Sequence, residues 1–184
     1  MISVNFSSGI FSSTVFGGIS RYFTELGLAL DMLPDISVQY VSPIYTNQYL
    51  ARTPSRLVAG QHMLRLPGSA TINPIINSLI EPYIYQLRRP SVLHYTYYTP
   101  IYKSSFGAKV VVTIFDMIHE FCPQFFSNTD DTTLRKHEAI LAADHIIAIS
   151  ESTKSDLLNY FRIPEEKVSV VYLASSLVPV IEDY

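Results

Sequence analysis

Cysteine is nearly absent: Cys122 is the only one among 184 residues, so no disulfide can form within the chain and a cross-linked secreted scaffold is excluded. Charge is sparse too. Charged residues make up 16% of the chain, 13 basic against 16 acidic for a formal net charge of -3, with no basic stripe to meet a phosphate backbone, and nucleic acid is not an expected partner. The dinucleotide fingerprint GxGxxG is missing, and the second candidate strand ends at Gln39 and Tyr40 rather than at an acid that would hold a ribose. The phosphate-loop pattern GxxxxGK[ST] is missing as well. These two absences argue against a nicotinamide dehydrogenase and a phosphate-loop ATPase. His62, His94, His119, His137, His145 and the cysteine show no metal-ligand spacing, so no metal is expected. The start, Met1 to Phe6, lacks the basic and apolar regions of a secretory signal, and a reducing cytoplasm fits best. The longest apolar helical stretch, Ile72 to Leu87, is broken by Glu81 and Pro82 and has an amphipathic period, so it does not read as a span. Peripheral contact with the inner membrane surface stays open.

What is present is apolar material, 48% of residues, enough for one substantial core. Residues 2–6 predict a first strand, then a Ser/Gly-rich loop ending at Gly17 and Gly18. A helix over 19–33 follows, with Ile19, Tyr22, Phe23, Leu26, Leu30 and Leu33 on one stripe and Pro34 as its stop. Ile36 to Val41 alternates as a second strand, and His62 to Leu66 is a candidate third. The next helix is predicted with Asn73 as N-cap and Pro74 at its first position. Its apolar face would comprise Ile75, Ile76, Leu79, Ile80, Tyr83, Ile84 and Leu87, with a kink at Pro82. Strands over 91–95 and 109–114 follow; the run Val110 to Ile114 is β-branched throughout, the mark of a strand covered on both faces. A helix over 132–143, a strand over 146–149, a helix over 152–161 and a strand over 168–172 complete the order. This alternation predicts an α/β, Rossmann-like, mostly parallel sheet of six or seven strands with helices on both faces. Residues 1–173 would form this domain and 174–184 the start of a linker.

In such sheets ligands bind beyond the carboxyl ends of the strands. Two glycines at a helix start let backbone amides approach an anion, and Arg21 in the first turn offers a fork to a phosphate; a plain tight turn explains the glycines equally well. Asp116 and His119 lie where the most buried strand gives out, placed to orient hydroxyls or move a proton, or else Asp116 tethers the following loop and His119 lies on the surface; Glu120 reads as a solvated charge. His94, Thr96, Tyr97 and Tyr98 after the fourth strand suit a sugar-lined cleft, or pack at loop edges. Ser150 to Thr153 read foremost as helix caps, Thr153 with Asp156 having capping-box spacing.

The segments FGGISRYFTEL, VLHYTYY, VVVTIFDMIHEFCPQFF and ADHIIAISESTKSDLLNYFRIPEEKVSVVYLA together resemble the N-terminal domain of family 4 retaining glycosyltransferases, one half of a GT-B fold. The resemblance implies an enzyme that moves a sugar from a nucleotide-diphosphate sugar to a hydroxyl of a sugar or lipid-linked glycan, with retention and without a metal. It implies Gly17 and Gly18 as the diphosphate-facing loop and Asp116 as the aspartate of a His-Asp pair. Arg21, His94, Tyr97 and Ser150 are further candidates for the substrate side. The pair's histidine position is Phe115 here, which leaves His119 as the nearby candidate. The donor-binding C-terminal domain would follow Tyr184, and the chain by itself is expected to be inactive. The rival expectations are another nucleotide-dependent Rossmann-like enzyme, such as an oxidoreductase or epimerase, and a non-catalytic binding module.

Overall fold

In the computed structural model, which describes residues 1–101, 106–127 and 129–175, seven strands lie parallel in the order β3-β2-β1-β4-β5-β6-β7. They are β1 (Ile2–Phe6), β2 (Ile36–Tyr45), β3 (Val58–His62), β4 (Val92–Tyr95), β5 (Lys109–Ile114), β6 (His145–Ala148) and β7 (Val168–Val170). The helices are α1 (Gly9–Ser13), α2 (Gly18–Asp31), α3 (Gln48–Ala51), α4 (Ser69–Arg88), α5 (Ile118–Phe121), α6 (Thr132–Ala142) and α7 (Glu151–Phe161). Side chains alternate across the sheet. Val4, Phe6, Val38 and Tyr40 join α1 and α2 in one core, while Leu93, Tyr95, Val110, Val112, Ile114 and Ile146 join Tyr85 of α4 and Ile140 of α6 in the other. The chain is thus Rossmann-like with seven strands.

Several boundaries differ from those the sequence predicts. The loop before Gly17 contains α1, which turns Ile10 and Phe11 into the core. β3 ends at His62 instead of beginning there, and β7 ends at Val170. β2 runs on through Pro43 to Tyr45, with an irregularity between Val41 and Ile44 where it pairs with β3. A proline is tolerated at such a point because no ladder bond is required of its nitrogen. Of the predicted linker, residues 176–184 lie outside the described residues.

The largest correction concerns α4. It starts at Ser69 behind Gly68, whose φ is 81°, so Asn73 is inside the helix and not its cap; as the sequence predicts, Pro82 does not stop the helix. Its buried residues are Asn73, Asn77, Glu81 and Tyr85, a row four residues apart. Ile84 is half-buried against the core, but most of the predicted apolar face is outside: Ile75, Leu79, Tyr83 and Leu87 are exposed. Each lies two residues beyond a buried one, about 200° round the axis. The polar row has work inside. β1 pairs β2 only as far as Tyr40, and beyond that point Asn77 takes the place of a strand. Its Oδ1 accepts from the Ile44 amide at 2.9 Å and its Nδ2 donates to the Ile44 carbonyl at 2.8 Å. Backbone groups left without such partners would destabilise the fold.

On the other face, Tyr40 reaches from β2 under α2 and donates its hydroxyl to the carbonyls of Thr24 (2.7 Å) and Phe23 (3.1 Å). Gly27 makes this possible, since a Cβ there would overlap that hydroxyl. In an exposed helix Gly→Ala stabilises by about 1 kcal/mol. Here Gly27→Ala is expected to destabilise by about 2 kcal/mol in urea unfolding, through overpacking and the lost hydrogen bonds. Tyr40→Phe, added to it, should recover part of the loss, and full additivity of the two would disprove the clash.

Candidate functional site

Because all seven strands are parallel, the loops after β1, β4, β5 and β6 gather at one edge with the N-termini of α2 and α7. The chain runs from β1 outward to β2 and β3, then returns to place β4 on the other side of β1. That switch between β1 and β4 is where an open α/β sheet forms its crevice. The two loops are fastened there: the Thr96 amide donates to Ser7 Oγ at 3.0 Å, Thr96 Oγ1 donates to the Ser7 carbonyl at 3.0 Å, and the Ile10 amide donates to Thr96 Oγ1 at 3.1 Å.

Gly17 is the N-cap of α2 and Gly18 its first residue. Gly17 has φ 174°, extended backbone open to any residue, and Gly18 is not among the residues of positive φ. A Cβ on Gly18 would meet no atom within 4 Å, and one on Gly17 only Ser20 Oγ at 3.8 Å. The turn therefore does not require either glycine. No side chain caps α2 and no acid lies in its first turn, so the positive end of this 14-residue helix is uncapped, with Gly18 exposed at its first position. Arg21 lies beside it, half exposed, with Nε 3.9 Å from Glu25.

His94 is not at a surface. It is 5% exposed, packed by the rings of Phe6 and Phe23, with Nε2 2.9 Å from Thr113 Oγ1. Burial pushes its pKa down to about 3, so it is neutral. It supports the edge from beneath and presents nothing to a sugar. Above it, Phe115 packs against Tyr22 at 5.5 Å and Phe23 at 6.1 Å. This contact also ties the first turns of α2 to the end of β5, setting the glycine loop and Asp116 on one side of the sheet.

Asp116 is exposed, and its Oδ1 accepts from the Ile118 amide at 3.1 Å. Its turn is held from below by Lys136 of α6, whose Nζ donates to the Asp116 carbonyl at 3.0 Å and to Glu120 Oε2 at 2.7 Å. Glu120 is thus buried, not solvated: neither side chain of this pair is more than 1% exposed. The sequence hid a clue here, for Lys136 lies three and four residues before Ala139 and Ile140, on the buried face of α6. His119 stacks on Phe126 at 3.8 Å and approaches Asp130 with Nε2 at 3.6 Å. Hydrogen bonds from Thr132 hold the Asp130 pKa below the usual carboxylate range. Half-buried Tyr97 lies near both acids. Burial first, then the charges of Asp130 and Asp116, push its pKa up. His119 thus meets Asp130, which the sequence did not single out, and the charges of Asp130 and Asp116 both act on Tyr97.

Ser150 caps α7: its Oγ accepts from the Thr153 amide at 3.1 Å and lies 3.0 Å from the Thr153 hydroxyl. The cap is Ser150 and not Thr153, and its hydroxyl is committed to the helix.

A cavity of about 420 Å³ opens beyond β1 and β4, against α4. Ser8, Gly9, Tyr95 and Thr99 line it with Glu81 and Arg135. Glu81 accepts from the Ser8 amide at 2.8 Å and the Tyr85 hydroxyl at 3.0 Å. Burial raises its pKa to about 7. No sequence pattern flagged this cavity, since its walls come from segments some 70 to 130 residues apart.

The family model for Glycosyltransferase Family 4 matches residues 16–174. No curated protein matches the chain. Among solved structures, a glycosyltransferase from Rickettsia africae ESF-5 superposes with a TM-score of 0.51 at 14% identity, which speaks to fold alone. The match covers 93% of this chain and 42% of that one, so the chain spans less than half the length of its structural neighbour.

Proposed function

The chain belongs to Glycosyltransferase Family 4, and from that premise we propose that it forms the acceptor-side domain of an enzyme moving a sugar from a nucleotide-diphosphate sugar to a hydroxyl with retention, at the cytoplasmic side of the cell. The observation that carries this reading is a pair of glycines that the turn does not require, at the uncapped N-terminus of α2. An approaching diphosphate would find amides and the helix dipole there, with no side chain in its way. In the proposed reaction those amides, with Arg21 at the rim, stabilise the charge that develops on the departing diphosphate, and no metal is called upon. Asp116, on a turn fixed by Lys136, orients the reacting sugar, with Tyr97 and His119 beside it. The acceptor hydroxyl, on a sugar or a lipid-linked glycan, approaches past the cavity between α1 and α4.

On this reading the remaining donor contacts belong to a second domain, and the 184 residues alone bind donor poorly and transfer nothing. Calorimetric titration of the chain with UDP-glucose and GDP-mannose is expected to give no measurable heat at micromolar protein. A micromolar dissociation constant would place the donor contacts in this domain and overturn the division of labour.

A further inference from the structure

A surface helix ordinarily turns its apolar stripe inward. α4 does the reverse along about 22 Å, from Ile72 to Leu87. Leu79 is 66% and Leu87 85% exposed, while Asn77 and Glu81 are buried against β2 and α1. Leu64 and Leu66, just ahead of the helix, extend the apolar surface. Along the segment from Leu64 to Arg89 the exposed charges have one sign. Between Ile36 and Phe115 the sequence holds seven of the 13 basic residues and one acid, Glu81, which is buried; the other fifteen acids lie elsewhere. Arg65 stands before the helix, and Arg88 and Arg89 at its end, all exposed. A second copy docking through this face by two-fold symmetry would set arginines against arginines, which disfavours a dimer.

We propose that the outer face of α4, with Leu64 and Leu66, docks on an anionic phospholipid bilayer, its apolar side chains entering the headgroup boundary and Arg65, Arg88 and Arg89 meeting lipid phosphates. Ile75 and Pro82 belong both to this helix and to the wall of the cavity, so docking sets the cavity mouth beside the lipid headgroups.

Flotation with vesicles tests this without any transfer assay, so its failure leaves the proposed function standing. The chain is expected to float with vesicles of phosphatidylcholine and phosphatidylglycerol in equal parts, and to partition about tenfold less onto phosphatidylcholine alone. Leu79→Glu should lower partition onto the mixed vesicles about tenfold with unchanged melting, because that side chain makes no core contact. Leu134→Glu, the same change at an exposed leucine of α6, should leave it unaltered. Arg65→Gln with Arg89→Gln should weaken binding to the mixed vesicles alone. Absence of flotation, equal flotation of Leu79→Glu, or a dimer in solution that Leu79→Glu dissolves without any vesicle binding would each overturn the proposal, the last in favour of a protein occupant.

Discussion

Gly18→Val, placed in an active enzyme containing this domain, is expected to lower sugar transfer about a hundredfold or more while leaving the melting temperature within a degree or two of the parent. The loss is of the size seen when one preorganised donor to a developing oxyanion is removed, because the branched Cβ would stand where the diphosphate must approach the amides of α2. The stability half of the expectation comes from the structure. A Cβ there meets no atom within 4 Å, the position has no positive φ, and the change replaces a poor helix former at the first helical position. Activity and stability are therefore separable at this residue, which is rarely so for a glycine in a turn. Arg21→Ala provides the comparison, removing a charge at the rim without filling the approach, and should cost less than Gly18→Val. Parent-level transfer by a normally melting Gly18→Val would reduce the glycine pair to a helix start with no part in the reaction.

Replacing Glu81 by glutamine should expose a pH dependence that the parent conceals. Glu81 has its pKa raised from 4.5 to about 7, so the folded state holds its proton more tightly than the unfolded chain. The fold gains stability from this group as pH falls from about 7 to 4.5, and the gain is fully present below 4.5. His94 has its pKa lowered from 6.5 to about 3. The fold resists its protonation, and the stability present above 6.5 is lost as pH falls toward 3. At 1.36 kcal/mol per unit the two amount to about 3 and about 5 kcal/mol, with opposite slopes between pH 4.5 and 6.5. The parent's contribution from the pair is nearly flat across that window. In Glu81→Gln the decline should begin at 6.5, so parent minus variant should rise by about 3 kcal/mol as pH drops from 7 to 4.5. Urea unfolding at half-unit intervals measures this difference, and the other titrating groups, common to both proteins, cancel. A flat difference would mean that Glu81 is ionised throughout and that its cavity admits enough water to solvate it.

What the sequence determined by itself was local and one-dimensional. The β-branched run Val110 to Ile114 read as a strand covered on both sides, and it is β5, inside the sheet between β4 and β6. The alternation of strands and helices implied parallel crossovers, and so put Gly17, Asp116 and Ser150 at one edge before any coordinate was known. The four segments that resemble the glycosyltransferase family named it correctly. Periodicity, however, tells which residues share a face and not which way that face turns. In α4 both rows repeat every four residues, and what turned Asn77 and Glu81 inward were the unpaired backbone of Ile44 and the amide of Ser8, both far away in sequence. The same holds for His94, which ended in the core because Phe6, Phe23 and Thr113 close around it. It holds again for Glu120, whose burial depends on Lys136. Burying a polar side chain is costly unless a partner compensates its desolvation. Such partners came from distant segments, so the tertiary structure alone decided which polar residues face the solvent and which hold the edge in place.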